Sequence, residues 1–188
     1  YDMAFCVAIA TQPDGCGTPA CPDNDNCADA TPISGCVVVV DFDNSLATTD
    51  GPAHLACDKF GTGGINDNDV WYCWTAPQDG NVTISTCGLT AVDTHLMVYD
   101  GCGCPPAGDP IARHADTCGF QSEVTFAATA GNSYLIRVGT FAGAAGGPGQ
   151  FSIDCGGGSG VENDDCEGAI AVSVPSSTAG TTNGASID

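Results

Sequence analysis

An all-β fold is predicted for this chain: an antiparallel β-sandwich of jelly-roll type, disulfide-rich, with N- and C-terminal extensions. Three observations predict it. Short apolar runs alternate with turn clusters, no segment carries a convincing helical period, and 13 cysteines stand in 188 residues. The alternation is explicit at Val82/Ile84, Leu96/Val98, Val124/Phe126 and Phe151/Ile153, where one face of each run is apolar. Asp79-Gly80, Asp100-Gly101 and Ala130-Gly131-Asn132 supply turns between such runs.

In chain order, residues 1–22 form an N-terminal extension, with a strand-like apolar run at Ala4–Ala10 and a Pro/Gly/Cys loop after it. Residues 23–155 form the main unit. Its predicted strands are Cys36–Phe42, Asp69–Thr75, Asn81–Cys87, Thr94–Tyr99, Ser122–Ala127, Ser133–Gly139 and Gln150–Asp154. Seven or eight strands at this spacing indicate a two-sheet sandwich. Residues 156–160 read Gly-Gly-Gly-Ser-Gly, a flexible linker by composition.

Residues 161–188 restart the main unit. Asn163-Asp164-Asp165-Cys166-Glu167-Gly168-Ala169 repeats Asn24-Asp25-Asn26-Cys27-Ala28-Asp29-Ala30, and Thr181-Thr182-Asn183-Gly184-Ala185 echoes Thr48-Thr49-Asp50-Gly51-Pro52-Ala53. One or two strands of a repeat cannot close a core, so this segment is expected to dock on its own domain or on a neighbouring copy. Ala169–Val174 alternates like a strand, which makes Ile170, Val172 and Val174 the expected contact residues.

Composition narrows function. Net charge is −20, with 23 acids against Lys59, Arg113 and Arg137. Phosphate neutralisation needs clustered cations, so nucleic acid and anionic membrane surfaces are excluded as partners. No stretch is long and apolar enough to insert into a membrane. The scattered cysteines predict disulfides and an extracellular or cell-surface location. No leader is visible ahead of Tyr1, and a processed product or fragment is expected.

The ordered segments Asp69-Val-Trp-Tyr-Cys-Trp-Thr-Ala-Pro77, Val82-Thr-Ile-Ser-Thr-Cys-Gly88, Asp93-Thr-His-Leu-Met-Val-Tyr-Asp-Gly101 and Ala130-Gly-Asn-Ser-Tyr-Leu-Ile-Arg-Val-Gly139 carry a resemblance. Over residues 23–155 the chain resembles the bacterial pre-peptidase C-terminal domain and its Cys- and Asp-rich relatives, which recur in tandem in secreted and surface proteins. The resemblance implies a calcium-associated sandwich used as an adhesive, structural or enzyme-accessory module. Calcium takes six to eight oxygens, and the acids singled out, partly by the resemblance, are Asp67, Asp69, Asp93 and Asp116. The alternative for Asp69 and Asp93 is turn capping beside strands. One departure is Arg113-His114-Ala115-Asp116, where such repeats often carry an acidic cluster.

An odd cysteine count leaves at least one thiol unpaired within the chain. If Cys27 pairs with Cys57, Cys166 loses its equivalent partner and becomes the candidate for a bridge to another subunit or to Cys155. Cys16 and Cys21 are close enough to staple a loop. Cys102, Cys104, His114 and Cys118 have zinc-ligand chemistry, although disulfides are the commoner outcome in a secreted chain. His95 is expected to face solvent or a neighbouring strand. Trp71, Tyr72 and Trp74 are either core or a sugar-stacking platform. Asn81-Val82-Thr83 is a glycosylation acceptor pattern.

Catalysis lacks a constellation: the chain has three His and neither a Gly-x-Ser-x-Gly elbow nor an HExxH. The expected function is a structural subunit of a secreted filament or surface polymer, copies of itself chained head-to-tail by a terminal extension. The alternative is an adhesion or ligand-binding module for a glycan or cell-surface ligand.

Overall fold

A computed structural model describes residues 20–54 and 66–156 of the chain. The chain divides after Cys155 into two units, of which the described residues belong almost wholly to the first. Ala4–Ala10, Cys16, Cys57, Cys166, Ile170, Val172 and Val174 all lie outside the described residues.

Two sheets stack face to face. One has five strands: β1 (Thr31–Ser34), β3 (Asn66–Thr75), β8 (Ser133–Phe141), β5 (Thr94–Asp100) and β6 (Ala112–Ala115), in that order. The other has four: β2 (Val38–Asp43), β9 (Pro148–Asp154), β4 (Gly80–Ser85) and β7 (Glu123–Ala128). From β2 onward the chain crosses between sheets at every step except β5 to β6, which gives the jelly-roll order. The predicted sandwich is the observed one, and each of the seven predicted strands is present.

Two strands were not predicted. β1 and β6 are four-residue edge strands with little burial, so they carry no apolar alternation to read. β1 also pairs parallel to β3, Thr31 beside Tyr72 through Ser34 beside Thr75, which makes the five-stranded sheet mixed. A single three-residue 3₁₀ turn, Cys27–Asp29, precedes it. No helix among the described residues is long and apolar enough to cross a membrane.

The core lies between the sheets. β3, β5 and β8 contribute Tyr72, Trp74, Leu96 and Ile136, while the smaller sheet contributes Ile84, Phe126, Phe151 and Ile153. Tyr72 meets Phe151 edge-on at 4.9 Å, and Trp74 meets Phe126 at 90°. These are the offset geometries that aromatic quadrupoles favour.

Four disulfides are present among the described residues: Cys27–Cys104, Cys36–Cys155, Cys73–Cys102 and Cys87–Cys118. Cys21 is also disulfide-bonded, and every other described cysteine is already engaged, so its partner lies outside the described residues. The expected Cys27–Cys57 pair is overturned, because Cys27 sits against the turn after β5. A Cys166–Cys155 bridge is overturned as well, since Cys155 leaves β9 beside Cys36 at the start of β2. The zinc reading fails for the same reason: Cys102, Cys104 and Cys118 are all oxidised.

Candidate functional site

The outer face of the five-stranded sheet is where an ordinary sandwich would meet water. Here it is buried. β3, β5 and β8 turn Trp71, Met97, Tyr99 and Leu135 outward, and all four are fully buried beneath residues 22–30 and 48–54. We call residues 22–34 the clasp, because they lie across this face and then enter the sheet as β1.

The clasp is held by specific bonds. Asn24 exchanges two hydrogen bonds with the backbone of Trp71: its side-chain amide donates to the Trp71 carbonyl at 2.9 Å, and its own carbonyl accepts from the Trp71 N–H at 3.0 Å. Asn24 thus continues the β1 edge pairing with a side chain where no strand is present. The Asp25 carboxylate accepts from the backbone N–H and hydroxyl of Thr48. The Cys27 N–H donates to Asp50, whose other oxygen accepts from the Trp71 indole at 2.8 Å. Cys27 then closes covalently on Cys104. Ala30 packs on the outer cluster and Ile33 on the inter-sheet core.

Beneath the clasp sits a buried charge pair. Asp69 shares a face with Trp71, two residues on, and a β-bulge between Asp67 and Val70, with Asn68 in the left-handed region (φ 46°), interrupts the ladder there. Its carboxylate accepts from Arg137 Nε at 2.6 Å and from the backbone N–H groups of Asp50 and Gly51. Arg137 completes its fork with the carbonyls of Pro52 and Asn66 and lies 5.2 Å from the Trp71 ring. Loss of solvation raises the Asp69 pKa from 3.8 to about 6 against the pull of Arg137. Two glycines are closely approached in this region, Gly51 by the fork itself and Gly139 by Asn66. A Cβ on Gly51 would meet the guanidinium at 2.2 Å, and one on Gly139 would meet Asn66 Oδ1 at 1.7 Å.

The four acids chosen as calcium ligands do not converge. Asp69 is committed to Arg137. Asp67 stands opposite Thr140 at one end of the sheet, two strands from Asp93 and three from Asp116. Asp93 and Asp116 are neighbours: burial, then the charge of Asp116, raises the Asp93 pKa. Among the described residues no three His, Cys, Asp or Glu groups are placed to hold a metal ion.

The aromatic platform is likewise absent: Trp71 and Trp74 are completely buried, and Tyr72 nearly so. His95 is buried on the outer face near Phe141 rather than turned to solvent. Asn81 is exposed on β4. A cleft of about 400 Å³ lies between the two sheets' edges, lined by Asp100, Ile111, Phe126 and Tyr134 among others. Its two rings are nearly buried, Phe126 and Tyr134 packing on each other at 5.0 Å.

Sequence reasoning missed the centre of this region. Arg137 is one of three basic residues and stands mid-strand between Ile136 and Val138, which is the signal that could have flagged it. Asn24 and Cys27 were noticed for recurring at 163 and 166, yet the sequence did not reveal what they dock on.

Comparison with curated proteins returns no match. Two solved structures show distant likeness. One is the pre-peptidase C-terminal domain of a collagenase from Bacillus anthracis (14% identity, 66% of this chain and 94% of that chain covered, TM-score 0.43). The other is PliG of Aeromonas hydrophila, a periplasmic inhibitor of g-type lysozyme (15%, 66% and 96%, TM-score 0.39). The first is the kind of domain that the sequence resemblance named. A family model described as galactose binding domain-like, and associated with T9SS, matches residues 23–153 from the clasp through β9. The chain belongs to this T9SS-associated galactose binding domain-like family, an extracytoplasmic module, extracellular or periplasmic, that its disulfides suit.

Proposed function

We propose that this chain is a non-catalytic structural module of an extracellular assembly, with copies joined head-to-tail through their terminal segments. One observation carries the reading. The residues that seat the clasp, Asn24, Asp25 and Cys27, recur with the same spacing as Asn163, Asp164 and Cys166. Such a segment is specified to dock on a sandwich of this kind, and a head-to-tail contact that does not close into a ring generates a filament. Durability comes from disulfides and a doubly covered sheet rather than from a large core. Negative-stain electron microscopy of native material in non-reducing buffer tests it. Regular filaments with a repeat of about one sandwich support it, and dispersed monomers overturn it.

A second reading is favoured by the family match. Under it the chain is a ligand-binding module, with a galactose-like glycan as the class the family's description names. Saturable glycan binding by a monomer, with no filaments in the micrographs, would select it.

A further inference from the structure

We infer that the clasp seat is exchangeable: residues 163–174 of one copy take the place of residues 24–35 on a second copy, and Cys166 bonds to that copy's Cys104. This rests on the head-to-tail reading above and names its contact.

The seat dictates its occupant residue by residue. It asks for a carboxamide to bridge the Trp71 peptide, a carboxylate for Thr48, a thiol two residues on that reaches Cys104, a small residue against the outer cluster, and an aliphatic one against the core. Asn24, Asp25, Cys27, Ala30 and Ile33 meet these demands. Asn163, Asp164, Cys166, Ala169 and Val172 present the same chemistry at the same spacing, and Ser173 matches Ser34.

The incoming strand is also the better strand. β1 reads Thr-Pro-Ile-Ser and runs into Gly35, which has φ +96°. Pro32 faces Cys73 in the ladder and has no N–H. The tail equivalent is Ile170-Ala171-Val172-Ser173-Val174. It has Ile in place of Thr31 and Ala in place of Pro32, and at Val174 it runs on as strand where Gly35 turns. Main-chain pairing at this edge therefore favours the visitor.

The covalent step needs no oxidant. The Cys166 thiolate attacks Cys104 of the Cys27–Cys104 disulfide; the Cys104–Cys166 bond forms, the Cys27–Cys104 bond breaks, and Cys27 leaves as a thiolate that takes a proton from water. One disulfide is consumed and one is made. The number of thiols is conserved, one being transferred from residue 166 of one copy to residue 27 of the other.

The test mixes ¹⁵N-labelled and unlabelled full-length chains under non-reducing conditions and maps disulfides by mass spectrometry. The expected result is a Cys104–Cys166 peptide pair joined across the two isotopes, with a reductant-sensitive ladder on gels that Cys166→Ser abolishes. Cys27→Ser leaves Cys104 ready in the seat and is expected to enlarge the ladder. A Cys104–Cys166 pair found only within one isotope overturns the proposal. So does a ladder that survives Cys166→Ser. Filaments in which every Cys27–Cys104 bond is intact would overturn the exchange and leave the assembly reading standing. Monomers throughout would overturn both.

Discussion

The sandwich has two outer faces, and they are built on opposite principles. The four-stranded sheet turns Thr83, Thr125, Asp41 and Gln150 to water, pairing the two threonines at 3.0 Å and the last two residues at 2.7 Å. The five-stranded sheet turns Trp71, Tyr99, Leu135 and Arg137 outward and buries them under the clasp and the 48–54 segment. The first face tolerates change because water replaces any partner it loses. On the second, every polar atom must find its partner inside the protein. The covered face is therefore the sensitive one, and it is the face that the clasp holds down.

Five measurements break or sharpen that contrast, and we give them in falling order of expected effect. Arg137→Ala removes one half of the buried pair and strands Asp69, so chemical denaturation should show a loss of about 3–5 kcal/mol. Cys36→Ser/Cys155→Ser unstaples the open sheet at its ends, where no cover compensates, and should cost about 2–4 kcal/mol in the same assay. Gly139→Ala drives a methyl into the Asn66 carboxamide on the covered face, and a loss of about 1–3 kcal/mol is expected.

The fourth measurement is a pH series. Asp69 binds its proton near pH 6 in the fold but near 3.8 when unfolded. The stabilisation from protonation is thus complete below 3.8 and lost as pH rises through 6. Stability should rise by about 1 kcal/mol between pH 7 and pH 5, and Asp69→Asn should flatten this slope. Falling self-repulsion in a chain of net charge −20 acts in the same direction, so the difference between the two proteins isolates the carboxyl. The smallest effect is Thr83→Ala on the open face, expected within about 0.5 kcal/mol of the parent. A larger loss there would show that this face too is covered in the protein's working state.

The same contrast explains what could be read in advance. On the open sheet, Val82/Ile84 and Val124/Phe126 alternate with exposed partners, so period two was visible and the strands were placed correctly. On β5 the Leu96/Val98 alternation marked the inner face but not that the opposite face is buried too, and on β8, where almost every residue is buried, the two faces were not distinguishable. A buried Asp looks like a turn Asp when only its type and neighbours are known. Asp69 was accordingly grouped with Asp67, Asp93 and Asp116, although a bulge and a guanidinium set it apart. Disulfide partners were illegible for a related reason: Cys27 meets Cys104 only because the clasp crosses the sheet, a contact of sequence separation 77. Disulfides were the expected state of Cys102, Cys104 and Cys118, but their partners could be named only from the fold.

The Cys36–Cys155 bond has a consequence for tension. It joins the residue just ahead of β2 to the one just behind β9, a sequence separation of 119. A pull applied along the chain from outside this bond passes from Cys36 to Cys155 through two sulfur atoms and does not load the strands between them. Stretching the chain by its ends cannot unspool β2 to β9, and of the strands it loads only β1. A chain pulled by its two ends therefore lengthens only through the segments that lie outside the loop.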